Sequence, residues 1–264
     1  MNIFLRELRA NFKSLIIWSV ITILFNVVGF SKFSAYYNNP EMTAILNDFP
    51  PAMTEALNLK AFNLTTVTGF FGIMFAYYAL LLSIASAMWG SDIISKEERD
   101  KTVEFALTLP VTRQRLVTAK IVTAVINSVA LVLISSGIML VMAQKYQPDR
   151  EFYSFMSLGM LALFIMMMIF LAVGIFLGCA LKQYRRAGSI AVSILLATYI
   201  LSIFSTLNKN LEFLKYFSPF KYFDPVKLLH ESRMDILFVG LSAAIIVISL
   251  VGAYVSYAKR DLYI

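Results

Sequence analysis

The stretch of this sequence that most suggests chemistry is the charged block 91–112, which reads SDIISKEERDKTVEFALTLPVT. It contains five acidic residues, among them the adjacent carboxylates Glu97 and Glu98. Paired carboxylates can act as general acid and base, but catalytic pairs are usually held in a partly buried site. Here basic residues surround both side chains, so the pattern predicts a solvated, charge-mixed loop and no catalytic pair.

The rest of the chain offers few residues able to perform catalysis. The single histidine, His230, lies outside any HExxH pattern, and no His, Cys, Asp or Glu residues show metal-ligand spacing. No GxxxxGK[ST] loop is present, so the chain is not expected to bind ATP in that manner. Cys179, the only cysteine, lies in an apolar run and is expected to be a packed thiol. We therefore expect no enzymatic activity, metal site or cofactor in this chain.

The charged block separates two of six long apolar segments. Hydrophobic residues make up 59% of the sequence and charged residues 15%, which is far too apolar for a soluble chain. A bilayer core about 30 Å thick needs about 20 apolar residues per helix. The run lengths favour helices over the short alternating strands of a barrel. We predict an all-α polytopic membrane protein with one transmembrane domain, 1–264, and spans at about 15–33, 69–90, 116–142, 156–181, 187–206 and 236–258.

The distribution of basic residues predicts the orientation of the chain. The net charge of +7 is typical of a membrane protein with Lys- and Arg-rich cytoplasmic loops and gives no reason to expect nucleic-acid binding. With the N-terminus inside, most of the 23 Lys and Arg residues fall on short inner segments. We therefore expect both termini and the block 91–115 to be cytoplasmic.

The N-terminal stretch IFLRELRANFK is amphipathic. Its basic residues lie opposite an apolar face formed by Phe4, Leu5, Leu8 and Phe12. Such a segment predicts an interfacial helix on the inner membrane surface, before the first span begins. A simple charged flank is the alternative.

The predicted spans carry very few ionisable side chains. Lys120, near the inner end of the third span, is expected to snorkel to the interface. Asn26 and Asn127 are the main amides within spans and are candidates for a substrate path. The lack of carboxylates and histidines argues against a carrier driven by an ion gradient. Gly174 and Gly178 permit close helix packing, either within the chain or between copies.

Within the charged block, the pattern predicts a short helix over 91–109 that Ser91 or Asp92 caps. Pro110 ends this helix, and Thr112 caps the third span. Helical spacing places four residues on one small apolar face, namely Val103, Ala106, Leu107 and Pro110. That face could contact lipid headgroups, but the five acidic residues favour a contact outside the negatively charged inner leaflet.

The block resembles the cytoplasmic loop between the second and third spans of ABC-2-type transporter permeases. That family's pattern is, loosely, Glu, Gly-Thr, an acidic residue, paired leucines, Pro-x-Ser/Thr-Arg and a later Lys. This sequence matches it at Glu97 or Glu98, Thr102, Glu104, Leu107, Pro110, Thr112, Arg113 and Lys120. It departs at Lys101, where Gly is common, and at Ala106, which replaces one leucine.

The resemblance implies that the loop is a coupling helix for a separate ABC ATP-binding subunit, which would hold ATP and Mg. The residues implied in that contact are Glu97, Glu98, Thr102, Val103, Glu104, Ala106, Leu107, Pro110, Thr112 and Arg113. It also implies that two permease chains, as a homodimer, pair with two ATPase chains in a bacterial cell membrane.

The function implied is export of a hydrophobic or amphipathic substrate (a peptide, drug or lipid-like molecule), as in the smaller drug- and peptide-exporting members. Two other functions remain open from the residues alone. One is a non-transporting membrane sensor that signals through the same loop. The other, less favoured, is an ion-coupled secondary carrier.

Overall fold

The computed structural model describes residues 3–39, 41, 50, 62–99, 112–181 and 183–259, and these ranges contain helices and turns but no strand. The helices are α1 (Ile3–Tyr36), α2 (Val67–Arg99), α3 (Arg113–Gln144), α4 (Arg150–Ala180), α5 (Tyr184–Leu207), α6 (Pro225–Glu231) and α7 (Ile236–Lys259). Two 3-10 segments, Lys209–Phe217 and Pro219–Lys221, connect α5 to α6.

Six of the described helices are long and apolar enough to cross a membrane, namely α1 to α5 and α7. Each coincides with a predicted span, which confirms the all-helical class and the six spans. Several helices extend past the predicted bounds, most clearly α1 with 34 residues and α2 with 33. The extensions arise because helix geometry continues into polar sequence until a cap or breaker intervenes, whereas hydropathy marks only the apolar part.

The two ends of the helix bundle are defined here by their contacts. The proximal end holds Glu7, Ile93 and Lys120, where Lys120 Nζ lies 2.6 Å from the Ile93 carbonyl oxygen. The distal end holds Tyr37 and Tyr146, where Tyr37 Oη donates to the Tyr146 carbonyl at 3.2 Å. The beginning of α1, the end of the described part of α2 and the beginning of α3 therefore lie at the same end of the bundle.

Helices α2 and α4 form the tightly packed centre of the bundle. A Cβ added to Gly90 would lie 2.3 Å from the Leu171 carbonyl oxygen, and one added to Gly174 would lie 2.5 Å from the Ala87 carbonyl oxygen. Gly178 likewise approaches the Ser91 carbonyl. The two glycines of the GxxxG pattern thus pack within the chain. Around this pair, α5 contacts both helices, α7 lies on α4, and α3 lies between α1 and α4.

The structure corrects the prediction of a separate interfacial helix at the N-terminus. Residues 3–36 form a single helix, because no glycine or proline interrupts the chain before the apolar run. Of the predicted apolar face, Leu5 and Phe12 are more than half exposed, whereas Phe4 and Leu8 are half-buried. Glu7 and Asn11 face inward instead.

The predicted helix start at Ser91 or Asp92 is also wrong. Helix α2 runs without a break from Val67 to Arg99. Ser91 Oγ donates to the Ala87 carbonyl at 3.0 Å, so it bonds back within the helix and does not cap a new one. Thr112 is confirmed as the cap of α3, since its Oγ1 accepts from Arg115 N at 3.3 Å.

The segment after α5 folds back along that helix. Ser218 Oγ donates to the Thr198 carbonyl at 2.7 Å, and Thr198 lies more than two turns before the end of α5. Tyr222 and Phe223 are buried, whereas Phe213 and Phe217 are exposed. The aromatic residues of this loop therefore divide between the core and the surface, because the chain re-enters the bundle after Phe217.

Candidate functional site

Lys120 is the most unusual residue of the bundle because its side chain is completely buried. Its Nζ donates to the Ile93 carbonyl at 2.6 Å and lies 3.8 Å from Glu7 Oε2. An unpaired ammonium in this environment would be costly, so the nearby carboxylate and carbonyl are what make burial possible. The prediction that Lys120 snorkels to the interface is wrong for this reason.

These three residues, named here the proximal clamp, join three helices. Glu7 belongs to α1, Ile93 to α2 and Lys120 to α3. Ile93 is less than two turns from Arg99, where the described part of α2 ends. The clamp therefore lies at the base of the segment that the sequence singles out.

Helix α1 is attached to α2 by further polar contacts. Trp89 Nε1 donates to Ser14 Oγ at 2.8 Å, and Tyr78 Oη donates to Asn26 Oδ1 at 2.6 Å. Lys96 Nζ donates to the Ala10 carbonyl at 3.1 Å. Four of the six buried residues of α1 are polar, namely Glu7, Asn11, Thr22 and Asn26. Directional polar contacts thus hold much of α1, while aromatic packing at Phe30 and Phe33 secures its distal end.

The two amides predicted for a substrate path both lie inside the bundle. Asn26 is 1% exposed and pairs with Tyr78, and Asn127 is 2% exposed. Within the described ranges, Asn127 Nδ2 has no hydrogen-bond partner, and the same holds for four buried hydroxyls, those of Thr22, Ser83, Ser86 and Ser135. The assignment of both amides to a path remains a prediction.

The predicted coupling residues lie mostly beyond what the structure describes. Glu97 and Glu98 belong to the last turn of α2, and Thr112 and Arg113 form the start of α3. Thr102, Val103, Glu104, Ala106, Leu107 and Pro110 lie outside the described residues. The structure therefore places the two ends of the coupling segment, and the role of its residues stays a prediction.

A groove opens at the proximal end between α1, α2 and α5. Its volume is about 710 Å³. The lining combines apolar rings with hydroxyls and a carboxylate, and includes Trp18, Met88, Trp89, Ser95, Asp92 and Ser189. Such a lining suits a molecule that has both an apolar body and a polar group.

Polar side chains continue along the face that α5 shares with α2. A smaller cavity of about 70 Å³ lies nearer the distal end, with Tyr77 of α2 on one side and Tyr199, Ser202 and Thr206 of α5 on the other. Tyr199, Ser202 and Thr206 recur at i, i+3 and i+7, so these three residues share one side of α5. Lys221, from the second 3-10 segment, lies at the distal end of this face.

Sequence reasoning did not identify Glu7 or the polar face of α5 as functional. The available signal for Glu7 was a carboxylate followed four residues later by Asn11, both on the side of the N-terminal segment next to Phe4. For α5, the signal was the recurrence of hydroxyl-bearing residues along a predicted span.

The six long apolar helices, joined by buried polar contacts, define a multi-pass helical membrane protein. The family model described as ABC-2 family transporter protein matches residues 1–262. The chain therefore belongs to the ABC-2 transporter family and is the transmembrane component of an ABC transporter. Family membership implies association with an ABC ATP-binding subunit. A comparison with curated proteins returned no match.

Proposed function

We propose that this chain is the transmembrane subunit of an ATP-driven exporter and couples to its ATP-binding subunit through residues 97–113. Two copies of the chain would enclose the path of a hydrophobic or amphipathic substrate, in a bacterial cell membrane with both termini cytoplasmic. The proximal clamp is the observation that carries the proposal, because it ties the base of the coupling segment to α1.

The clamp suggests how motion would reach the membrane. The coupling segment connects the proximal ends of α2 and α3, and Lys120 of α3 holds the backbone of α2 at Ile93. A push on the segment would therefore move these two helix ends together. Glu7 would pass the same displacement to α1, which also contacts α2 through the hydrogen bond from Trp89 to Ser14 and through the stacked rings of Phe33 and Phe70.

The face formed by α2 and α5 is the best candidate for the path. It carries indoles, hydroxyls and Asp92 within the proximal groove, whereas the exposed side chains of α7 are aliphatic, such as Ile236, Val247 and Ile248. An aliphatic face suits lipid tails, and a mixed face suits an amphipathic substrate or a second copy. Helix α1 contributes Ser14 and Trp18 to the same groove.

The proposal is tested by purifying the chain with its partners from native membranes in mild detergent. We expect a P-loop ATPase to co-purify in stoichiometric amount, and Leu107→Asp or Glu104→Lys to abolish this association. Glu231→Lys is the control, because it makes the same charge change as Glu104→Lys but at the distal end of the bundle. Recovery of the chain without any ATPase, or unchanged association in both segment variants, would refute the coupling assignment.

Transport is tested separately, in sealed vesicles that contain the purified complex and an NBD-labelled lysolipid. ATP-dependent movement of the lysolipid across the membrane would support export. ATP turnover without movement of any amphipathic probe would favour the sensor. Movement driven by an ion gradient in the absence of ATP would favour the carrier.

A further inference from the structure

A second cavity, named here the distal cavity, lies between the two 3-10 segments, α6 and the start of α7. Its volume is about 500 Å³. Tyr222, Phe223 and Leu228, each at most 3% exposed, contribute to its inner wall together with Phe238. The rings of Tyr222 and Phe238 stack with their centroids 5.1 Å apart. The inner part of the cavity is therefore apolar and rigid.

The rim of the distal cavity is charged, and each of its acidic side chains already has a partner. Glu212 pairs with Lys215 at 2.7 Å, and Glu231 pairs with Arg233 at 3.0 Å. Asp224 and Asp235 cap helices, since their Oδ1 atoms accept from Val226 N and Leu237 N at 3.0 Å each. The hydrogen bond from Lys215 lowers the pKa of the Glu212 carboxyl, and the more distant charge of Lys227 adds to this shift.

Two lysines on the same rim are not matched in this way. No described residue makes a hydrogen bond or an ion pair within 4.0 Å with the ammonium of Lys221 or Lys227. Lys227 is exposed, whereas Lys221 is half-buried. Burial lowers the pKa of Lys221, and the more distant Asp224 carboxylate opposes this shift. A cation that is both poorly hydrated and unpaired gains more from a bound anion than a solvated one does.

We propose that the distal cavity binds an anionic amphiphile, with its carboxylate, phosphate or sulfate group at Lys221 and Lys227 and its apolar part against Tyr222 and Phe238. The cavity lies at the distal end of the bundle, beside the start of α7. Lys221 and Asp224 also line the small cavity between α2 and α5, so the site is continuous with the face proposed as the path. The site does not depend on the proposed export, since binding needs neither ATP nor a partner chain.

Thermal unfolding of the full chain in a nonionic detergent tests the proposal. Dodecyl phosphate is expected to raise the unfolding temperature, and dodecyltrimethylammonium at the same concentration is not. Lys221→Gln should weaken the binding of dodecyl phosphate about tenfold or more, as expected for loss of a charge-assisted contact. Lys145→Gln is the control, because it removes an exposed lysine at the distal end of α3, outside the cavity.

Lys227→Gln provides a second test if Lys221→Gln does not fold. Lys227 is exposed, so we expect its replacement to leave the fold intact. It should weaken binding several-fold. Equal stabilisation by dodecyl phosphate and dodecyltrimethylammonium would overturn the proposal. So would an equal loss of dodecyl phosphate binding in Lys145→Gln and in the two cavity variants.

A membrane lipid and a free amphiphile share this chemistry, and a comparison of ligands distinguishes them. The experiment is repeated with mixed micelles that contain phosphatidylglycerol or phosphatidylcholine. Stabilisation by phosphatidylglycerol that depends on Lys221 would identify a lipid site. Stabilisation by dodecyl phosphate alone would identify a site for single-chain molecules. If dodecyl phosphate and phosphatidylglycerol stabilise Lys221→Gln as much as the unchanged protein, the proposed site is wrong.

Discussion

Glu7 on α1 and Lys120 on α3 face each other at the proximal end, with 3.8 Å between Oε2 and Nζ. Their side chains are only 5% and 1% exposed. Both charges are thus withdrawn from solvent inside the helix bundle. The pair places an electrostatic link at the point where the coupling segment joins the bundle.

Removal of one member of this pair should destabilise the bundle strongly. In Lys120→Met the Glu7 carboxylate remains buried, with only the contact to Arg6 at 3.4 Å among its described ion pairs. Loss of one partner of a buried ion pair costs about 3–5 kcal/mol. The unfolding free energy, measured by denaturant titration in detergent micelles, should fall by that amount.

The double variant Glu7→Met/Lys120→Met is the matched control for this prediction. Replacement of both charges by apolar side chains of similar size is often neutral, so most of the lost stability should return. A double variant as unstable as the sum of the two single variants would show that Glu7 and Lys120 do not interact.

The spans could be predicted from the sequence because the membrane requires long apolar helices, and their composition is a local property. The predicted cap at Thr112 was also correct because capping is a local property that depends on residues three positions apart. Lys120 was misjudged because its counter-charge lies on another helix, and the sequence does not show which helices are neighbours. Tertiary packing therefore decided whether the ammonium was buried or solvated.

The prediction that a helix starts at Ser91 was wrong for a different physical reason. Serine can cap a helix or bond back to a carbonyl one turn earlier, and local sequence does not decide between the two. Here the close approach of Gly174 and Gly178 fixes this part of α2 against α4, and Ser91 bonds to Ala87. The distal cavity likewise could not be predicted, because it depends on the return of the chain along α5 after Leu207.

Alanine at Gly174 should disrupt the central helix pair. Its Cβ would lie 2.5 Å from the Ala87 carbonyl oxygen and 3.1 Å from Ser91 N, and backbone atoms cannot move aside without separation of α2 and α4. Overpacking of this kind costs about 1–3 kcal/mol. Gly137→Ala is the control, because nothing lies within 4 Å of the added Cβ. Thermal unfolding should show a lower midpoint for Gly174→Ala and an unchanged or higher midpoint for Gly137→Ala, and equal midpoints would contradict the packing.

Tyr78→Phe should weaken the attachment of α1 to α2. It leaves Asn26 Oδ1, which accepts from Tyr78 Oη at 2.6 Å, without that donor in a buried position. A buried acceptor that loses its partner costs about 1–3 kcal/mol. The double variant Asn26→Leu/Tyr78→Phe removes both groups and should be more stable than Tyr78→Phe alone. Unfolding in detergent measures both effects, and a double variant less stable than the single one would indicate that the two side chains are not coupled.

Tyr222→Phe should change the response of the protein to alkaline pH. Burial raises the pKa of Tyr222 from its ordinary value of 10.0 to about 12. The phenol of the unfolded chain therefore ionises near pH 10, before that of the folded chain. The contribution of this group to stability is complete below pH 10 and is lost as the pH rises to about 12.

In Tyr222→Phe this loss is absent, so the unfolding midpoint should fall less steeply between pH 10 and 12 than in the unchanged protein. At pH 7 the variant should be less stable by about 1 kcal/mol, because it lacks the hydrogen bond from Tyr222 Oη to the Tyr216 carbonyl. All other tyrosines are common to both proteins, so the difference between the two pH profiles isolates Tyr222. Parallel profiles would mean that the Tyr222 hydroxyl reaches water in the folded protein, and the apolar wall assigned to the distal cavity would be incorrect.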